Sequence, residues 1–153
     1  MSTSRAPAAV DQLYALLTAA LGTANPVWDG PPVTGDFRDC VYLGYDGDPS
    51  GERRSVTGQQ EWAGIGAKKR SETLDIICAA AAISGDGTAK PARDKVYALM
   101  GQVETTLRAD PSMGQSPTPF VASVHSPELF FEWIEQMGLQ ARLTFHVLIE
   151  TRI

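Results

Sequence analysis

The chain has 153 residues, 43% of them hydrophobic and 20% charged, with a formal net charge of -5. That length supports one domain, residues 1–153, with a real core, and the balance is that of a soluble globular protein rather than a disordered one. The negative charge argues against a sequence-independent grip on nucleic-acid phosphates, which needs a basic face; an acidic wall past which DNA slides stays open.

Cys40 and Cys78 have no CxxC spacing. Cys78 lies in an apolar run and reads as a small core residue. One disulfide is possible, but nothing requires it. The first residues carry no continuous apolar segment of the signal-peptide kind. No apolar run approaches the roughly 20 residues of a membrane span. A soluble protein made in the cytoplasm is the expectation.

A first helix is capped by Ser2 or Ser4, with Pro7 in its first turn, where a missing N–H does no harm. Val10, Leu13, Tyr14, Leu17 and Leu21 recur at helical spacing, and Gly22 closes the helix in a left-handed conformation. Residues 23–36 are loop, rich in Pro and Gly, with a short extended piece at Val27 and Trp28. Residues 37–45 (FRDCVYLGY) read as a strand and residues 53–64 as a second, more polar one. The turn-rich segment 46–52 (DGDPSGE) between them makes the pair a hairpin with a projecting tip. Gly64 and Gly66 then break the chain before Lys68, Lys69 and Arg70.

The next strand is long. Leu74, Ile76, Cys78, Ala80 and Ala82 share one face, and Thr73, Asp75, Ile77, Ala79, Ala81 and Ile83 the other. Both faces become apolar toward its end, so its second half is expected to be covered on both sides. The alanine run also suits a helix, but the alternation before it and Gly85 after it favour a strand. Its small side chains let a helix or a second subunit approach closely. A second helix follows, with Val96, Leu99, Met100, Val103 and Leu107 on one face and Pro111 as its stop. Residues 114–119 are linker and 121–124 a short strand. Residues 126–138 (SPELFFEWIEQMG) have helical periodicity, with Ser126 as cap, but also suit a strand turning at Met137 and Gly138. The last segment alternates Leu143, Phe145, Val147 and Ile149 with Thr144, His146, Leu148 and Glu150, a strand tied into the sheet.

Catalytic signatures are sparse. His125 and His146 sit in no HExxH or other ligand spacing, and His146 has only Glu150 as a carboxylate on its own strand face. The SGDG turn at 84–87 lacks the spacing of a phosphate loop. No G-x-S-x-G is present. Asp46, Asp48, Ser50 and Gly51 match the first half of an EF-hand loop, but Thr57 stands where the bidentate Glu belongs. No cofactor or metal is therefore expected. Arg53 and Arg54, and Lys68, Lys69 and Arg70, are basic clusters in an acidic chain. They contrast with the acidic tip and with Glu128, Glu132 and Glu135. Such contrast suits contact between unlike faces of adjacent copies, which is head-to-tail and closes into a ring if the rotation allows.

Four stretches together resemble a family: VYLGYDGDPSGE, QQEWAGIGAKKRSETLDIICAAAAISGDG, ARDKVYALMGQVETTLRADPSMG and the closing GLQARLTFHVLIETRI. From about Val41 onward, their order and spacing are similar to tail terminator proteins of long-tailed phages that infect actinobacteria. The resemblance implies an α+β fold with a mixed, largely antiparallel sheet, two main helices packed on it and a projecting β-hairpin. It implies a homohexameric ring in the virion neck that ends tail-tube polymerisation. Its partners would be copies of itself, the tube protein and the head connector, with DNA passing through the lumen unbound and no membrane. No catalysis is implied. The resemblance also turns residues 128–136 toward a strand. Candidate contacts are Asp46, Asp48, Arg53, Arg54, Trp62, Lys68, Lys69 and Arg70. Another head–tail joining protein, a small hydrolase or metal enzyme using His125, His146 and the Asp46–Asp48 loop, and a monomeric binding module are the alternatives.

Overall fold

The computed structural model describes residues 3–22, 24–32, 39–50, 54–114 and 120–153. Those residues form, in order, α1 (Ala6–Leu21), β1 (Val27–Asp29), β2 (Cys40–Leu43), β3 (Val56–Trp62), β4 (Arg70–Ser84), α2 (Ala89–Ala109), β5 (Val121–Ile134) and β6 (Gly138–Arg152). The strands make one mixed sheet in the order β1-β2-β4-β6-β5, with β3 also paired to β4. Only β1 and β2 run parallel. The α+β class with two helices on a mixed sheet is what the structure has.

β4 is the spine. Its alternation sends Leu74, Ile76, Cys78, Ala80 and Ala82 into the main core. On β6, Ile149, Val147, Phe145 and Leu143 stand opposite Leu74, Ile76, Cys78 and Ala80, so both strands feed the same face. Both helices cover that face. α1 contributes Ala9, Leu13, Leu17 and Leu21, and α2 contributes Ala92, Val96, Leu99, Val103 and Leu107. The other face of β4 is solvated at Ser71 and Thr73 and buried at Ala79 and Ala81. There Cys40, Tyr42 and Tyr45 form a second cluster with those alanines. The late half of β4 is thus covered on both sides, as its composition requires. The two cysteines lie in different clusters, both as free thiols. Burial pushes the Cys78 thiol up to about 12, so it is a core residue without nucleophilic character.

Small residues on β4 let α2 sit close. Ala80 is completely buried and registers against Leu143 on one side and Val41 on the other. Ala80→Leu is expected to force neighbours off their rotamers and cost about 2 kcal/mol. Urea unfolding checks this, and an unchanged midpoint would mean the alanine faces spare room.

Several expectations need correction. β2 and β3 do not form a hairpin with each other. Both pair antiparallel with β4, β3 along its first half and β2 along its second, so they lie end to end on one edge. The projecting hairpin is instead β3–β4, with residues 63–69 as its turn. Tyr14 is 37% exposed, and Ala9 takes the core position beside Leu13. Ser4 does serve the start of α1, accepting the Ala6 N–H at 3.0 Å. Gly22 closes the helix with φ 69 but ψ -163, positive in φ without being left-handed helical.

Residues 128–134 are strand, not the helix that periodicity favours. β5 runs from Val121 to Ile134 and pairs with β6 throughout, with a bulge between His125 and Glu128. Ser126 holds φ 55 at this bulge, next to Pro127. Proline is tolerated there because a bulge leaves a residue outside the ladder. The strand wins because β6 needs a partner on its second edge, and aromatic side chains suit a pleated surface.

Candidate functional site

The β3–β4 hairpin gathers half of the candidate contact residues. Its turn is closed by Ala63 N–H to Lys69 O at 3.1 Å and Ala67 N–H to Gly64 O at 3.0 Å. Ile65, between two glycines, is fully exposed, and Lys68 and Lys69 are exposed beside it. Trp62 is 54% exposed, with the Arg70 guanidinium over its ring at 4.8 Å. Arg70 also donates to the Thr3 carbonyl at 2.6 Å. Arg70 is therefore a strut of its own chain, whereas Ile65, Lys68 and Lys69 project.

The remaining candidates lie elsewhere. Arg54 is exposed just before β3. The seven residues of β3 put it about 23 Å from the tip, so the basic groups do not make one patch. Arg53 lies outside the described residues, as does Gly51 of the half EF-hand motif. Asp46 and Asp48 sit in the link from β2 toward β3. Asp46 Oδ1 accepts the Asp48 N–H at 3.0 Å, and Asp48 Oδ1 accepts the Ser50 N–H at 3.0 Å and hydroxyl at 2.8 Å. These are Asx-turns, and the carboxylates shape the loop. Among the described residues, no three His, Cys, Asp or Glu side chains gather as metal ligands.

His146 is better partnered than its own strand suggested. Its Nδ1 lies 2.6 Å from Asp75 Oδ1 on β4. His125 stands directly opposite His146, and its Nε2 lies 2.7 Å from Ser123 Oγ. These are two separate pairs, Ser with His and His with Asp, rather than one relay. Both lie on the sheet face opposite the helices. A nucleophile of the serine type needs one base joined to both hydroxyl and carboxylate.

Sequence reasoning missed Glu72. It is 2% exposed, on the helix-covered face. It accepts the Ser4 hydroxyl at 2.5 Å, the Arg5 N–H at 2.8 Å and the Gln60 amide at 3.0 Å. Burial alone would raise its pKa, but these donors and the Arg70 charge outweigh it and hold the carboxyl below its usual value. Arg5 bonds to Thr151 and stacks over Phe120 at 4.1 Å. Glu72 and Arg5 together pin the start of α1 onto the sheet.

The far end of the sheet is different in character. Still within the β5–β6 ladder, β5 exposes Phe130, Phe131 and Trp133 at 42%, 44% and 71%. Glu128, Glu132 and Glu135 are exposed among them. A groove of about 490 Å³ runs here between Tyr42, Tyr45, Gly47 and Pro49 on one side and Glu132, Trp133 and Glu135 on the other. Its signal in the sequence was the FFEW cluster, whose spacing suits a helix as well as a strand.

No family model and no curated protein matches the chain. Among solved structures, it is similar to a chain of the virion of a native gene transfer agent particle. That likeness has a TM-score of 0.61 and 16% sequence identity, and covers 99% of this chain and 100% of that chain. It is a likeness of fold.

Proposed function

We propose that this chain is a structural subunit of a virion, forming a ring that caps a tail tube, ends its polymerisation and joins it to the head connector. The observation that carries the reading is the fold likeness over the whole length of both chains to a component of a virion particle. The resemblance from Val41 onward to phage tail terminators points to the same place. The edge-rich sheet adds physical support, since β5 leaves a long strand edge with apolar side chains, a liability for an isolated monomer and an asset in an assembly. The subunit works by fit, and its side chains transform no substrate.

The test mixes the purified chain with growing tail tubes and images the products. Rings of six copies at tube ends, with tubes halted in length, are expected. A chain that stays monomeric beside tubes of undiminished growth would overturn the reading. Binding to the connector without halting growth would assign it to another head–tail joint.

A further inference from the structure

The hairpin tip and the aromatic groove lie at opposite ends of β4. The tip precedes Arg70, while Ile83, near the other end, registers against the groove-lining Gln140. Fifteen residues of extended chain separate the two ends by about 45 Å. A tip cannot reach the groove of its own chain. It can reach that of another copy.

We infer that the β3–β4 tip of one copy seats in the groove beside Trp133 of the next. This rests on the ring reading above and names the contact that builds the ring. The chemistry of the two surfaces is complementary. The tip presents a fully exposed Ile65 flanked by Gly64 and Gly66, with exposed Trp62 before it and exposed Lys68 and Lys69 behind. The groove presents Trp133, 71% exposed, with Glu132 and Glu135 beside it, and is also lined by the buried Tyr42 and Tyr45. Aromatic faces bind an ammonium group, and the two carboxylates add opposite charge. Two unlike surfaces of one chain make a heterologous contact, which closes into a ring when the rotation between copies permits.

Two variant sets test this on the full chain in the presence of tubes. Lys68→Glu with Lys69→Glu is expected to raise the concentration needed for ring formation at least tenfold. Adding Glu132→Lys and Glu135→Lys to it should restore assembly. All four side chains are exposed, and an unchanged thermal midpoint verifies folding. Separately, Ile65→Cys with Glu135→Cys should give a disulfide-linked ladder ending at the closed ring, while either change alone gives none. Native Cys40 and Cys78 are buried and leave that readout clean. Wild-type rings accompanied by normal assembly of the charge-reversed chain and no ladder would overturn this contact and leave the ring reading standing. Rings that form normally but no longer hold tubes would place the tip on the tube instead, and overturn it too. Failure of the wild-type chain to form any ring on tubes removes both.

Discussion

Glu72→Ala is expected to lower stability by about 3 kcal/mol, because hydrogen bonds to a buried charged group are the strong ones and their donors would be left unpaired. For a chain of this size that corresponds to a fall of about 6–12 °C in Tm. The carboxylate accepts from Ser4, Arg5 and Gln60 at once. Its removal takes the acceptor from two donors at the start of α1, the Ser4 hydroxyl and the Arg5 N–H, while the exposed Gln60 amide keeps the Thr3 carbonyl. Thr3, held through its carbonyl by Gln60 and Arg70, loses part of its anchorage as well. Glu72→Gln separates charge from shape. It fills the same space but turns an amide NH₂ toward groups that are themselves donors. The pH dependence follows from the lowered carboxyl pKa. A group easier to ionise when folded stabilises the fold above its unfolded value, near 4.5, and that contribution disappears as pH falls through the folded value. The gap between wild type and Glu72→Gln should therefore be full at pH 7 and shrink progressively below 4.5. Urea titrations across that range measure it. A gap independent of pH would mean the charge is not what pins the start of α1 to the sheet.

Glu72 also shows how much the sequence disclosed. The alternation that assigns Leu74, Ile76 and Cys78 to the core face puts Glu72 in phase with them. A carboxylate on a core face must be paired. That pairing was legible in kind, but its donors come from 12 to 68 residues away in the chain, beyond any local pattern. The same holds for His146, whose Asp75 partner is on a neighbouring strand. Both helices, β4 and β6 were legible because each buries one periodic stripe. The pairing of β2 and β3 was not, because a turn-rich segment between two strands looks the same whether they form a hairpin or lie end to end on a third. β5 misled for a related reason. Leu129, Phe130, Trp133, Ile134 and Met137 have helical spacing, but none of the five is buried; Leu129 is half-buried against the core, Phe130 and Trp133 stand exposed on an edge strand, and Met137 lies in the turn beyond it. Periodicity assumes that apolar residues seek their own core. On this edge strand that assumption fails, because Phe130, Phe131 and Trp133 stay exposed.

Gly138→Ala should be the most damaging single change, costing about 4 kcal/mol, since it combines backbone strain with a collision that no side-chain rotation relieves. Gly138 opens β6 with φ 113, a region that side-chain-bearing residues rarely enter. A Cβ there would fall 2.2 Å from the Ser84 carbonyl oxygen and 3.0 Å from Gly85 Cα. Both obstacles are backbone at the end of β4, so either that strand or the β5–β6 turn has to move. Gly138 registers with Ile134, and Leu139 beside it with Trp133. The displacement would thus carry the groove wall with it, and assembly should fail alongside stability. Gly64→Ala is the matched control. Its added Cβ meets nothing within 4 Å, and its φ lies outside the positive range. It should leave Tm within about 1–2 °C, as surface substitutions usually do. Equal Tm values for the two variants would show that the β5–β6 turn adapts freely, and a groove with so yielding a wall could not hold a neighbour's hairpin in register.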